Sequence, residues 1–271
     1  MHMAKQAARA DETARVAAAR AGEAGAFDAL VRPLLPRLNA FAYRMVAHPE
    51  DAAELVQDAL LKAHQRLASF RGDASFSTWL FAILTRRCLD HLNARRRWRR
   101  DAQAHTRESP DAPHHRVGAE LRRPEARFEA REHIAFCFSC VSRSLPPEEA
   151  AAIFLREVFG FKNREAARVC GVSESVLRHR LSAGRQAMQD AFDDLCGLVN
   201  KRGVCHQCAG LRDHAPAENR GAPPPDLSGA RDDAYRRRLT IVQDADLESG
   251  SSAALHRLMF RAVDAVERAA R

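Results

Sequence analysis

The sequence predicts an all-α protein: two small helical domains joined by a flexible linker, followed by a C-terminal extension. Three observations carry that expectation. Alanine, leucine and arginine, which lose little freedom in a helix, are abundant, while aromatics are only 6% of the 271 residues. Apolar residues recur at three- and four-residue steps in separate stretches rather than alternating. Proline-bearing polar segments at 101–130 and 212–231 break the pattern into blocks. At 46% hydrophobic the chain can bury real cores.

Residues 1–25 carry Ala, Arg and Glu without a clean apolar face, and read as a disordered leader. Helical periodicity begins at Phe27 and runs through Leu30, Leu34, Leu38, Phe41 and Met45, with Pro33 and Pro36 expected to kink or divide it. His48-Pro49 ends that element, and a second helix is expected from about Pro49 to Leu67. After the loop Phe70–Ser75, a third helix is expected to start near Ser77 as N-cap and continue through the arginines at 95–100. Trp79, Leu80, Ile83 and Leu84 would be its core side. These elements make a first domain over 26–100.

Pro110, Pro113 and Pro124, among many charges, make 101–130 read as a linker. A second helical domain is expected over 131–196. The tail 197–271 carries cysteines, then a Pro/Gly-rich stretch. It ends in an amphipathic helix marked by Leu255, Leu258, Met259, Val263 and Val266.

Within the second domain the sequence predicts a helix-turn-helix. Asn163 caps a short helix, Gly171 supplies a left-handed turn free of steric cost, and Ser173 caps the helix that follows. Val172, Val176 and Leu181 are expected to be buried. Ser175, Arg178, His179, Ser182 and Arg185 populate the outer face, where a recognition helix meets the major groove.

Charge points the same way. The formal net charge is +8, and Arg86–Arg100 alone holds seven arginines against Asp90, so +6 of that total sits in fifteen residues. A concentrated cationic strip is the footprint of a nucleic-acid binder. Beside the aromatic and glycine-bearing loop, it could hold opened single strand. The second helix has the opposite character, with Glu50, Glu54 and Asp58 at four-residue steps.

The segment from Phe27 to about Arg97, with PEDAAELVQDALLKAHQRLASFRGDASFSTWLFAILTRRCLDHLNARRR, resembles region 2 of bacterial sigma-70-type RNA polymerase sigma factors. LPPEEAAAIFLREVFGFKNREAARVCGVSESVLRHRLSAGRQAM resembles their region 4. The two together, in this order and with little else, are similar to the extracytoplasmic-function (ECF) group. That resemblance implies that Asp51, Glu54, Gln57 and Asp58 dock on core RNA polymerase. It also implies that Phe70, Arg71, Arg86, Arg87, Asp90, Asn93, Arg96 and Arg97 melt and hold the −10 promoter element. Ser175, Arg178, His179, Ser182 and Arg185 would then read the −35 element as duplex. Arginines at 86 and 87 replace the smaller polar residues of many relatives, so a −10 sequence preference does not carry over. An anti-sigma factor is a further partner the resemblance leaves open.

Cys137-x-x-Cys140 and Cys205-x-x-Cys208 are the ligand arithmetic of a tetrahedral zinc site. The same residues suit a thiol–disulfide sensor, or a packing stretch with an incidental tail pair. The tail motif Gly203-Val204-Cys205 is similar to that of a subset of ECF-like factors. Cys88 and Cys170, among apolar neighbours, are expected in the core. No cofactor is required by the rest of the chain.

No apolar run is long enough to cross a membrane and no secretory signal is visible, so the expected location is the cytoplasm. A duplex-only helix-turn-helix regulator is the alternative reading, but it needs neither the acidic helix nor the loop with its basic helix. A CxxC oxidoreductase lacks any βαβ pattern around its cysteines.

Overall fold

A computed structural model describes residues 2–95, 97–108, 114–205 and 207–269. Among them it contains fourteen α-helices and no β-strand, only two isolated backbone bridges. The all-α expectation therefore stands.

The leader is a helix, α1 (His2–Arg20), contrary to the expected disorder. It is held by buried Val16 and by polar groups that complete neighbouring turns. The Arg20 guanidinium donates to the Leu67 carbonyl at 3.1 Å and also to that of Phe70, and Glu12 accepts from the Phe76 amide at 3.1 Å. Those backbone groups lie at helix ends, where intrahelical partners run out.

The prolines divide the next element as expected, into α2 (Ala26–Val31), a 3₁₀ turn Arg32–Leu34 and α3 (Leu35–Val46). Then come α4 (Pro49–Gln65) and α5 (Phe76–Asn93), the latter capped by Ser75, two residues before the expected cap, with the Thr78 amide donating to its hydroxyl at 3.1 Å. Leu80 and Leu84 on α5 are fully buried; Trp79 and Ile83 are half-buried. The helix stops at Asn93, so Arg95 and Arg97–Arg100 lie beyond it rather than on it.

The segment expected to be a linker holds α6 (Ala102–Glu108) and α7 (His114–Leu121); residues 109–113 lie outside the described residues. The second domain comprises α8 (Ala130–Ser142), α9 (Pro147–Ile153) running into a π-helical turn Phe154–Val158, α10 (Asn163–Cys170) and α11 (Glu174–Leu195). The extension adds α12 (Gln207–His214), α13 (Arg231–Asp244) and α14 (Ala253–Ala269).

The two helical domains are not separate bodies. Phe159, after the π turn, meets Phe41 of α3 at 5.5 Å between ring centroids, and Phe161 meets Phe81 of α5 at 5.0 Å. Across the same junction Arg37 donates to the Phe159 carbonyl and Arg168 to that of Asp73, both at 2.7 Å. Burying aromatic pairs repays the freedom lost on docking.

The extension spans both domains. α13 lies on α8, and Arg44 of α3 donates to the Val242 and Ala245 carbonyls at its C-terminal end (3.0 and 2.8 Å). There the orphan carbonyls favour a cation. α14 packs Phe260 against Tyr43 of α3 and Phe136 of α8. It also takes the Trp98 indole N–H on Asp264 at 3.3 Å and the Arg99 amide on Glu267 at 2.9 Å.

Candidate polymerase and nucleic-acid interfaces

On the helix-turn-helix the expected local logic holds at each end. Glu165 accepts from the Lys162 amide at 2.9 Å at the start of α10, so the cap position is Lys162 rather than Asn163. Gly171 ends that helix at φ 66°, and the Ser173 hydroxyl accepts from the Val176 amide at 3.3 Å. The buried register differs from the expected one. Leu177, Leu181, Gly184 and Met188 face inward, while Val176 is 41% exposed. Ala166 and Ala167 are buried, and Gly184 is a further close approach, since a Cβ there would meet Ile153 Cδ1 at 2.9 Å.

That register leaves Ser175, Arg178, His179 and Ser182 exposed on one face of α11. Arg185 is differently engaged. Its guanidinium is paired with Glu157, whose carboxylate also accepts from the Tyr235 hydroxyl at 3.0 Å. The Glu157 hydrogen bond raises the Arg185 pKa above its ordinary value.

Of the candidate single-strand surface, Arg71, Arg86, Asp90, Asn93 and Arg97 are exposed, and Arg96 lies outside the described residues. Arg86 is 78% exposed and pairs with Asp90 at 3.1 Å. Arg87 is less free, bound to Asp58 at 2.7 Å. Asn93 donates to Glu148 of α9 at 3.3 Å. Phe70 is buried, in contact with Phe76 and Trp79 at 5.8 and 5.3 Å, so in this conformation the candidate base-binding loop keeps its aromatic ring inside. Arg168 on the Asp73 carbonyl holds that loop against α10.

The acidic stripe divides. Asp51 turns toward the basic segment and pairs with Arg95 at 2.9 Å and His91 at 3.3 Å. Burial is the main reason that the His91 pKa is lowered. Asp58 is held by Arg87. Glu54 and Gln57 remain exposed, and on the same face stands Leu61, 61% exposed. Leu61 lies four and seven residues from exposed Gln57 and Glu54, a position on the candidate docking face that the sequence analysis did not single out. At the head of the helix, Glu50 pairs with Arg261 of α14.

The cysteines are all unbridged. Cys137, Cys205 and Cys208 line one cavity of about 80 Å³, where Cys196 and the buried Arg238 join them. Cys140, the fourth candidate ligand, is buried outside its lining, beside Arg143 and Gln103. Burial pushes the Cys137 thiol up to about 12 and the Cys140 and Cys208 thiols well above their ordinary value. Among the described residues, no three His, Cys, Asp or Glu side chains form a group that could hold a metal ion. Cys88 is fully buried as expected, and Cys170 half-buried. No described helix is long and apolar enough to cross a membrane.

Comparison with known proteins assigns these elements. Residues 30–99 match the family model of sigma-70 region 2, and residues 136–188 match that of sigma-70 region 4. The ECF RNA polymerase sigma factor SigM of Mycobacterium tuberculosis is 34% identical over 182 residues, covering 67% of this chain and 85% of that protein. RNA polymerase sigma-H factor of Pseudomonas aeruginosa and ECF sigma-E factor of Escherichia coli are each 28% identical over 174 residues, covering 64% of this chain and 90% of each relative. Among solved structures, the sigma factor RpoE of Bartonella quintana, crystallised with the anti-sigma factor NepR, aligns over 62% of this chain and 98% of its own. The TM-score is 0.44 and the identity 23%. With region 2 on α2–α5, region 4 on α8–α11, and a 34% identical relative matched over 85% of its length, this chain belongs to the ECF group of sigma-70-type sigma factors.

Proposed function

We propose that this chain binds core RNA polymerase through α4 and carries it to promoters, reading the −35 element as duplex with α11 and holding the opened −10 strand with the loop 70–75, α5 and the basic segment after it. The observation that carries this reading is the outward face of α4. Glu54, Gln57 and Leu61 are exposed there, although the helix's other side is buried against the domain core. A protein that only bound duplex would have no use for that acidic and apolar face. Its role is to place DNA and polymerase together, without bond-making chemistry of its own. An anti-sigma partner would act by covering the same face of α4.

The recognition half rests on α11. Arg178 is exposed and can grip guanine bidentately, with His179 beside it and Ser175 and Ser182 one turn to either side. Arg86 and Arg97 are exposed and suited to track phosphates of a single strand.

Co-purification with core polymerase tests the docking half. Glu54→Lys and Leu61→Asp, both at exposed positions, should each leave the helix content unchanged and weaken capture of core enzyme by tenfold or more. Equal recovery of polymerase with wild type and both variants would refute the assignment of α4.

A further inference from the structure

We propose that Cys196 and Cys205 form a reversible disulfide that fastens the C-terminal extension to the end of the α11 recognition helix. The backbone already pairs them. The Cys205 amide donates to the Leu195 carbonyl at 2.8 Å and the Gly197 amide to the Cys205 carbonyl at 3.0 Å, which is a parallel bridge between residues 196 and 205. Adjacent extended segments lie about 4.8 Å apart and bridged residues send their side chains to the same side. That spacing falls inside the 4.4–6.8 Å Cα separation a disulfide needs, so closing it asks for no backbone movement.

The intervening turn is built for this approach. A Cβ at Gly203 would stand 2.7 Å from the Cys196 carbonyl carbon, closer than any side chain tolerates. Both thiols open into the same cavity, through which a small oxidant can reach them.

Arg238 selects the nucleophile. It is 1% exposed, lies over the Phe192 ring at 3.8 Å and donates to Cys196 Sγ at 3.1 Å. No carboxylate pairs with it among the described residues. That hydrogen bond marks Cys196 as the sulfur that attacks first. Cys205, half-buried at the start of the extension, is then the resolving thiol.

With hydrogen peroxide as oxidant, the Cys196 thiolate attacks one peroxide oxygen. The O–O bond breaks, and the departing hydroxide takes up a proton to become water. Cys205 sulfur then attacks the resulting sulfenic sulfur; the S–O bond breaks and the hydroxyl leaves as water with the Cys205 proton. Two thiols lose two electrons and one peroxide is reduced to two waters. A ten-residue loop, 196–205, is closed.

The inference depends on this bridge, not on the promoter-reading roles above, and its test is independent of transcription. The full chain is treated with hydrogen peroxide, alkylated, cut with trypsin and examined by mass spectrometry without reduction. Cleavage after Arg185, Lys201, Arg202 and Arg212 separates residue 196 from residues 205 and 208. The expected product is peptide 186–201 linked to peptide 203–212, lost on adding dithiothreitol, retained in C208S and absent in C205S. Linkage that persists in C205S, a bond within peptide 203–212 instead, thiols that stay unoxidised in excess peroxide, or stoichiometric zinc that shields them would each overturn it.

Discussion

Arg178 and Arg185 stand two turns apart on α11, yet their surroundings give them different work. Arg178 is exposed and available to a base edge, whereas Arg185 is bound to Glu157, a side chain only 8% exposed that also holds Tyr235. Arg178→Ala should therefore weaken binding of −35 duplex by about 1–3 kcal/mol, roughly fivefold to 150-fold, with unchanged thermal stability. Arg185→Ala should show mainly as a lower melting temperature. Anisotropy titrations with duplex and thermal melts of the two variants check the pair. Residue types and spacing made the exposed set Ser175, Arg178, His179 and Ser182 legible. Nothing in the local sequence could reveal that a glutamate from the π turn and a tyrosine from the extension would occupy Arg185. Asp51 and Asp58 carry the same lesson, since Arg95 and Arg87 reach them only once α4 and α5 are packed.

Helix ends were readable because caps are local. Ser173, Gly171 and the prolines at 33 and 36 act through their own neighbours, and the structure uses them as the sequence implied. Facing directions were less so. The apolar residues Val176 and Leu177 are adjacent, and which one points inward depends on the crossing of α11 with α9. Leu177→Ala should destabilise the protein by about 2–5 kcal/mol, while Val176→Ala should stay within about half a kcal/mol in urea denaturation.

The seam between α8 and α14 makes a second prediction. His133 and His256 are fully buried there, with ring nitrogens 3.3 Å apart, and His256 stacks on Phe136 at 4.7 Å. Burial lowers His133 to about 4, and lowers His256 well below its ordinary value. The folded state thus binds fewer protons than the unfolded chain, whose histidines titrate near 6.5, so stability is full above that pH and falls as pH drops toward 4. His133 alone accounts for roughly 3 kcal/mol of that loss. Urea midpoints measured from pH 7 to pH 4 should fall steeply in wild type, and the slope should flatten in His256→Phe.

At the scale of the molecule, two helical modules and an extension were legible as blocks, because proline and charge separate them in sequence. Their docking was not. It depends on aromatic pairs such as Phe41–Phe159 and Phe81–Phe161, whose members lie eighty or more residues apart. The segment read as a free linker is helical because α14 gives it something to pack on.

The closed arrangement has a consequence for action on DNA. A compact chain of 271 residues has a radius of gyration of about 18 Å, and so a breadth near 50 Å. Elements centred at −35 and −10 stand about 25 base pairs apart, roughly 85 Å along the duplex. The contacts of Arg168 with Asp73, Arg37 with Phe159 and Asn93 with Glu148 must therefore part before both elements are held at once. Under the proposed function, docking on polymerase would part them and free Phe70 from its buried position.

The most direct test of promoter recognition and melting is permanganate footprinting of genomic promoter fragments incubated with core polymerase and this protein, alongside sequencing of the transcripts' 5′ ends. Reactive thymines confined to the −10 region, with defined start sites that disappear when the protein is omitted, are the predicted result. Tight binding of the protein to duplex fragments with no strand opening and no new start site on any of them would contradict it.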